Sequence, residues 1–582
     1  MAKAKKLSKE RRNTVIKKLL LYIKPYKHYL VLSIISAFVT TICTLVFPMF
    51  TGHAVDAILG EKSLFLTYLL VLLVLAAIGA LTQYALNQSN NKLTYSIVQD
   101  IRNDVFGHIQ FLPLSYLDSR SQGEVVSRII TDIDQIADGL LMGFTQFFTG
   151  VVTIIGTLIC LFYINWIVAL VVVLVTPISL FTASFISRRT YRLFNEQNEA
   201  RGELTGFTDE MIAGSKVVSA FNREEEAEKT FDQLNEKWSK AALFATFYSS
   251  LTNPVTRFVN SIVYTGVALS GGLSALIGRL TVGSLSSTLM YASQYTKPFN
   301  EISGVLTELQ NALSSASRVF ELLEVEEEKE NPNAKQLTSV EGNIDIDHVY
   351  FGYSKNKTLI KNFNLHLKRG MKVAIVGPTG SGKTTLINLL MRFYDVDSGS
   401  VKVDGLDIQD VTRHSLRSKY GMVLQETWLK SGTIRDNLTL SNPNIADEKI
   451  DEVIKLCHLE SFISTLPLGY DEPISDEAGA ISEGQKQLLC IARAMLSEPT
   501  MLILDEATSS IDTRTELVVQ QAFGLMMEGR TSFIVAHRLS TIKKADLILV
   551  LRDGDVVEQG NHKELLEKGG FYSELYNSQF AI

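Results

Sequence analysis

Long apolar runs without a charged residue occupy the first half of the chain, at 29–55, 63–91 and 139–187. A bilayer core about 30 Å thick needs roughly 20 apolar residues in helical form. The first two runs therefore predict one membrane span each. The third is long enough for two spans, and Asn165-Trp166 offers a turn between them.

Two more apolar stretches follow at 246–278 and 280–295, separated by Arg279. They bring the predicted number of spans to six. The connections at about 92–138 and 188–240 are long but keep a helical pattern. We expect them to extend the membrane helices into the cytoplasm, with short turns at 113–118 and 213–216.

Basic residues predict the orientation. The N-terminal segment 1–28 is rich in Lys and Arg and has one acid, Glu10, and the connection 188–240 is also basic. The connections around 56–62, Asn165 and Arg279 are short and poor in basic residues. The excess of Lys and Arg on cytoplasmic loops predicts a multi-pass protein of the cytoplasmic membrane with both termini in the cytoplasm.

An acidic segment with a proline marks the end of the membrane region. Beyond it, strands rich in β-branched residues alternate with helical stretches, a pattern typical of an α/β domain. We predict a multidomain protein: a basic N-terminal segment at 1–28, an all-α six-helix transmembrane domain at 29–322, a linker at 323–338 and an α/β domain at 339–582.

Composition adds little to this picture. The 582 residues are too many for one compact domain. Hydrophobic residues make up 46% of the chain and the net charge is −6. The basic clusters do not form the pattern that is typical of nucleic-acid binding. The four cysteines have neither metal-site nor disulfide spacing, so we interpret them as inert thiols.

A glycine-rich segment between a predicted strand and a predicted helix is the clearest chemical signal. It matches the P-loop pattern, whose backbone N–H groups and helix N-terminus face a polyphosphate. Lys383 is expected to reach the β- and γ-phosphates, and the Thr384 hydroxyl to ligate Mg²⁺. The predicted ATP-binding residues here are Gly377, Pro378, Thr379, Gly380, Ser381, Gly382, Lys383, Thr384 and Thr385.

Three other strand ends carry polar residues. Asp505 and Glu506 end an apolar run, where the first acid can hold Mg²⁺ through water and the second can orient or deprotonate an attacking water. Gln425 and His537 follow two further predicted strands. A lone Gln or His after a strand is often only a capping polar group, and spacing alone leaves that alternative open.

Together these motifs resemble the ABC transporter family along essentially the whole chain, and the fused order of domains is similar to the exporter branch (type 1). The resemblance implies that Tyr353 stacks on adenine, that Gln425 senses Mg²⁺ and couples to the membrane domain, and that Glu506 and His537 act in catalysis. It implies a D-loop acid at Asp512. It also implies two ATPase domains that close on two ATPs, each ATP facing the other chain's signature motif.

The signature motif departs from the family pattern. The usual LSGGQ reads Ile481, Ser482, Glu483, Gly484 and Gln485 here. An acid about 5 Å from a phosphate costs roughly 3 kcal/mol at an effective dielectric near 20, unless its side chain turns away. The chain resembles the subunit of heterodimeric bacterial multidrug exporters that keeps the Walker B glutamate. A homodimer remains the alternative.

Polar stripes on the last two predicted spans suggest a substrate cavity. They contain Asn253, Arg257 and Asn260 on one helix, and Tyr291, Gln294 and Tyr295 on the next. Such stripes also arise from hydrogen bonds between helices, so both interpretations remain. We expect ATP-driven export of small amphipathic compounds, with lipid or peptide export and an ATP-gated regulator as alternatives.

Overall fold

The computed structural model describes residues 9–59, 62–354, 357–425, 427–440, 442, 444–474, 481–505, 513–535 and 539–579. The chain divides into two compact units. The first comprises Met1–Gln110 with Gln122–Val325, and the second comprises Phe111–Ser121 with Glu326–Ile582.

The first unit is entirely helical in its described part. Its helices are α1 Lys9–Ile23, α2 Lys27–Leu59, α3 Lys62–Ile109, α5 Gln122–Ser127, α6 Ile133–Met142, α7 Phe148–Ile164, α8 Trp166–Ala213, α9 Ser215–Ala220, α10 Glu224–Leu276 and α11 Val282–Leu323. The helix α4, Leu114–Asp118, belongs to the second unit. Single π-helical turns join α5 to α6 and α6 to α7.

The predicted breaks between helices have clear local causes. Asn165 lies at the predicted turn and caps α8, because its side-chain oxygen accepts hydrogen bonds from the N–H groups of Ile167 (2.9 Å) and Val168 (3.3 Å). Gly214 ends α8 at the second predicted turn. The segment at 113–118 is a five-residue helix preceded by Pro113, rather than the plain turn expected.

Four helical segments among the described residues are long and apolar enough to cross a membrane: Lys9–Ile58, Lys62–Ile109, Gln122–Ile164 and Arg257–Leu276. The helices α8 and α11 cover the other two predicted spans. The count of six spans stays a prediction.

The N-terminal helix is held against the end of α11. The side chains of Arg11 and Lys18 each donate to Glu324 at 2.7 Å. These hydrogen bonds, the one from Lys18 foremost, hold the pKa of Glu324 below its ordinary value. The ring of Tyr22 stacks on Phe320 in the same region. The basic N-terminal segment thus contributes contacts to the helical unit as well as charge.

Helices α2 and α11 approach each other closely at Gly52 and Gly283. A Cβ atom on Gly283 would lie 2.0 Å from the Gly52 carbonyl oxygen. Nearby, Asp56 of α2 accepts hydrogen bonds from the Gly283 N–H (2.7 Å) and the Thr281 hydroxyl (2.6 Å) at the start of α11. The carboxylate therefore satisfies one backbone donor that the first helical turn leaves unpaired, the Gly283 N–H, and its charge interacts favourably with the helix dipole.

Replacing Gly283 by alanine is expected to destabilise the helical unit by about 1–3 kcal/mol, because the added methyl group meets a backbone carbonyl that cannot move aside. Gly272 in α10 is the matched control, since no atom lies within 4 Å of a Cβ built there. Thermal unfolding in detergent measures the effect. Equal melting temperatures for the two alanine variants would contradict the close contact.

The second unit is built around β-sheets, the largest of which is mixed. A six-stranded sheet has the order β12-β11-β3-β10-β9-β6, a four-stranded antiparallel sheet has the order β2-β1-β4-β5, and β7 pairs with β8. The strands are β1 Ile344–Phe351, β2 Ile360–Leu367, β3 Lys372–Val376, β4 Ser398–Val403, β5 Leu406–Asp407, β6 Tyr420–Val423, β7 Gly432–Thr433, β8 Pro473–Ile474, β9 Met501–Asp505, β10 Thr531–Val535, β11 Leu547–Arg552 and β12 Asp555–Gly560.

Ten helices complete this unit beside α4: α12 Lys383–Leu390, α13 Arg413–Arg417, α14 Ile434–Thr439, α15 Asp447–Leu456, α16 Glu460–Thr465, α17 Glu483–Leu496, α18 Thr513–Met526, α19 Leu539–Lys543, α20 His562–Glu567 and α21 Phe571–Gln579, counted over the part of the chain that the structure describes. Two hydrophobic clusters cover the six-stranded sheet, one on each face. The central strands of this sheet are almost wholly buried, as expected for parallel strands that are covered on both faces.

Candidate functional site

The parallel strands bring the predicted site residues to one edge of the sheet. Val535 pairs with Ile375 on one side and with Asp505 on the other, and Val423 pairs with Leu504. The carboxyl ends of β3, β10, β9 and β6 are therefore level. Ligands of open α/β sheets bind outside this edge, which is where the P-loop, Asp505 and Gln425 follow their strands.

The loop between β3 and α12 has the geometry of an anion cradle. Gly382 caps α12 with φ of +102°, a backbone conformation that favours glycine. The N-terminus of the eight-residue helix α12 therefore opens onto the loop. The Ser381 hydroxyl is buried and has no hydrogen-bond partner among the described residues.

The Lys383 ammonium group lies on the loop itself. Its Nζ donates to the carbonyl oxygens of Gly377 (2.8 Å) and Pro378 (3.1 Å). Burial lowers the pKa of Lys383 below its ordinary value, and the negative charge of Asp505 opposes that shift. An incoming polyphosphate offers this ammonium stronger, charge-assisted acceptors than two carbonyls.

The residues predicted to hold Mg²⁺ fit the chemistry of that ion. Thr384, Gln425 and Asp505 offer a hydroxyl, an amide oxygen and a carboxylate, which are the hard oxygen donors that Mg²⁺ prefers. Thr384 and Gln425 are exposed and Asp505 is half-buried. Asp505 ends β9, and Val535 of β10 pairs with both Asp505 and Ile375, so Asp505 lies at the sheet edge from which the P-loop starts.

The predicted adenine platform is accessible. Tyr353 is 52% exposed, which leaves room for a flat ligand on its ring. Its hydroxyl donates to the Thr385 hydroxyl (3.1 Å) and accepts from the Asn388 side-chain amide (3.2 Å). These bonds tie the ring to α12, directly after the P-loop. Thr385 itself is buried, and its hydroxyl is engaged by Tyr353.

The signature motif begins helix α17. The Ser482 hydroxyl accepts from the Gln485 N–H (3.3 Å), and the Gln485 side chain accepts from the Ser482 N–H (3.0 Å), which forms a capping box. Gly484 is buried beneath this turn. Glu483 is the first residue of the helix, where an acid interacts favourably with the helix dipole.

The Glu483 carboxylate has two partners among the described residues of its own chain. The Thr427 hydroxyl donates to it at 3.1 Å, and the Lys486 ammonium lies 3.5 Å from its other oxygen. The Lys486 charge offsets part of the acid's negative field. The sequence gives no signal for the contact with Thr427, which lies two residues after Gln425.

The predicted substrate residues on α11 bond mainly to α2. Pro48 lacks an N–H, so it leaves the Thr44 carbonyl without its helical donor. The Gln294 side-chain amide donates to that carbonyl at 3.2 Å, and the Tyr291 hydroxyl donates to the Leu45 carbonyl. Tyr291 and Tyr295 are almost completely buried.

These contacts agree with the alternative that the polar stripe forms hydrogen bonds between helices rather than lining a substrate cavity. Some polar atoms of the predicted substrate residues do not take part in them. The side-chain oxygens of Gln294 and Asn260 are buried and lack a partner among the described residues. Arg257 is exposed. The cavity stays a prediction. Glu506, Asp512, His537 and the Asn253 side chain lie outside the described residues.

Comparison with known proteins gives a consistent result. Residues 30–299 match the family model of the ABC transporter transmembrane region, and residues 360–509 match the ABC transporter model. A fatty acid ABC transporter ATP-binding/permease protein of Mycobacterium bovis is 41% identical over 90% of this chain and 82% of its own length.

Two further relatives cover more of the chain. An uncharacterised ABC transporter ATP-binding protein of Bacillus subtilis is 36% identical over 100% of this chain and 96% of its own length. A putative multidrug export ATP-binding/permease protein of Staphylococcus aureus is 34% identical over 97% of this chain and 100% of its own length.

A solved structure of a bacterial Atm1-family ABC exporter with ATP bound is similar along 96% of this chain and 99% of its own, with a TM-score of 0.76 and 27% identity. The helical unit, the P-loop at the sheet edge and these matches agree. The chain belongs to the ABC transporter family, and it is an exporter whose transmembrane region and transport-coupled ATPase are fused in one polypeptide.

Proposed function

We propose that this chain exports small amphipathic compounds across the cytoplasmic membrane as one half of a heterodimer, with both termini in the cytoplasm. The observation that carries the pairing is Glu483 in the signature motif beside an unaltered P-loop sequence and Walker B pair. One ATP site then combines Lys383, Asp505 and Glu506 with the partner's signature motif. The other places Glu483 opposite the partner's P-loop and hydrolyses ATP slowly.

Within the competent site, each residue has one task. Lys383 leaves the loop carbonyls for the phosphates, while Thr384, Asp505 and Gln425 hold Mg²⁺, which supplies charge neutralisation at the phosphates when bound. Glu506 orients or deprotonates the attacking water, and His537 contacts the γ-phosphate. Tyr353 offers its exposed ring to adenine. The intact P-loop geometry and the oxygen donors at one sheet edge support this assignment.

Amphipathic compounds suit the helical unit. The side-chain oxygens of Gln294 and Asn260, which have no partner among the described residues, are polar groups in an apolar and aromatic helical region, a combination typical of small-molecule sites. The name of the Staphylococcus aureus relative, a putative multidrug exporter, supports this class of substrate.

Lipid transport is the second candidate. It is favoured by one observation, the 41% identity to a protein named as a fatty acid transporter. A fatty acid would place its chain among the apolar residues and its carboxylate near a donor such as Arg257. Vesicle uptake of a labelled long-chain fatty acid, compared with a cationic dye, distinguishes the two substrate classes.

Expression with and without a second half-transporter, such as one encoded by a neighbouring gene, tests the pairing. We expect the two chains to co-purify in a 1:1 complex and ATP turnover to depend on both, because Glu483 weakens any site that it faces. The Glu483→Gly variant should raise the activity of this chain alone if a homodimer forms at all. Full ATPase activity of the unaltered chain alone would contradict the proposed heterodimer with one competent and one slow ATP site.

A further inference from the structure

A short helix on the connection between α3 and α5 packs within the ATPase unit. This helix, α4, lies in the segment Phe111–Ser121, which belongs to the second compact unit. Its last residue, Asp118, accepts a hydrogen bond of 2.7 Å from the Tyr394 hydroxyl. The start of the segment is also anchored, because the Phe111 carbonyl accepts from the Glu328 N–H at 2.9 Å.

Tyr394 also touches the predicted adenine platform. The ring centroids of Tyr353 and Tyr394 lie 5.0 Å apart with their planes at 89°, and both rings contact Phe351. Edge-to-face packing at this distance is a favourable aromatic geometry. Phe351 is buried and ends β1, so it provides a fixed base for the other two rings.

The three rings are constrained at each end. The Tyr353 hydroxyl is bonded to Thr385 and Asn388 of α12, while its ring remains half exposed. The Tyr394 hydroxyl is bonded to Asp118. Burial, together with this hydrogen bond, raises the pKa of Tyr394 above its ordinary value, so the phenol stays a donor. A base stacked on Tyr353 would fix the plane of that ring and, through the edge contact, the position of Tyr394.

We propose that Tyr394 is a positioning residue that links adenine binding at Tyr353 to helix α4 through its hydrogen bond to Asp118. The proposal rests on the proposed function, because it requires ATP to bind at this P-loop with its base on Tyr353. The proposed link between Tyr353, Tyr394 and Asp118 depends on the base of the nucleotide. In sequence, the segment that contains α4 joins the long helix α3 to the short helix α5, and both belong to the helical unit, so the order of α4 bears on that unit.

Two conservative variants isolate the link. Tyr394→Phe keeps the ring in the aromatic cluster and removes only the donor, and Asp118→Asn removes the charge of the acceptor. Tyr470→Phe is the matched control, because the Tyr470 hydroxyl donates to Asp451 at the same 2.7 Å within the same unit, and neither residue belongs to α4. If the link acts as one unit, the double variant Tyr394→Phe with Asp118→Asn loses no more than either single variant.

Hydrogen exchange of the full-length protein in its native assembly, reconstituted in lipid, tests the proposal. We expect Mg-ATP to protect both the 377–384 segment and the 114–118 segment. Mg-tripolyphosphate, which lacks a base, should protect only 377–384. In Tyr394→Phe, ATP should still protect 377–384 but lose its protection of 114–118, whereas Tyr470→Phe should behave as the unaltered protein does.

ATPase measurements provide the second readout. Tyr394→Phe should keep the basal rate and the KM for ATP and lose the stimulation by a transported dye, a split that a merely structural role would not produce. Equal protection of 114–118 in Tyr394→Phe and the unaltered protein, or equal protection by tripolyphosphate and ATP, would overturn the link alone. Failure of ATP to protect 377–384 would overturn the proposed function as well.

Discussion

Replacing Glu506 by glutamine is expected to lower ATP turnover by about 10²–10⁴-fold, the usual contribution of a positioned general base. ATP binding should persist, because the variant retains the P-loop, Lys383 and Asp505. Glutamine has the same shape but accepts no proton at neutral pH. Steady-state ATPase assays and equilibrium nucleotide binding on the same preparation separate the two effects.

Glu528→Gln is the control for this variant. Glu528 is an exposed acid two residues after helix α18 in the same unit and has no role in the proposed site. Its replacement should leave both turnover and binding unchanged. Substantial turnover in Glu506→Gln would mean that another group activates the water, and the role given to Glu506 would then be wrong.

Replacing Lys383 by alanine is expected to weaken ATP binding by about 10- to 150-fold, which corresponds to a loss of roughly 1.5–3 kcal/mol for hydrogen bonds to a charged group. The ammonium now bonded to the Gly377 and Pro378 carbonyls is the donor expected to move to the phosphates. Turnover should fall as well, because the same charge stabilises the transferred phosphoryl group.

A titration with a fluorescent ATP analogue measures the change in affinity. The matched control is Lys402→Ala, since Lys402 forms a surface ion pair with Asp347 in the four-stranded sheet. Such exposed pairs contribute little, so this variant should bind the analogue normally. Unchanged affinity in Lys383→Ala would show that the nucleotide binds elsewhere.

The sequence predicted those parts of the site that consist of neighbouring residues. The P-loop and Asp505 each follow an apolar strand, so the strand order brings them to one edge without further information. Thr427 and Glu483 are 56 residues apart, and Tyr394 and Asp118 are 276 residues apart. Such pairs depend on tertiary packing, which a single sequence does not encode in any local pattern.

The polar stripe on α11 has a cause in the sequence of α2. A proline inside an apolar helix frees a carbonyl one turn earlier, and that carbonyl needs a donor within the membrane. Pro48 therefore predicts a polar partner on a neighbouring helix, and the structure supplies Gln294. The spacing of Tyr291 and Gln294 alone gave no means to choose between this role and a cavity.

ATP-dependent uptake of a fluorescent amphipathic dye into inside-out membrane vesicles tests the central claim most directly. The vesicles contain this chain together with any partner that co-purifies with it. We predict uptake that requires Mg-ATP and is abolished in both Lys383→Ala and Glu506→Gln, since hydrolysis at this P-loop moves the helical unit. Uptake that continued undiminished in both variants would contradict the claim that this chain's own ATP site drives transport.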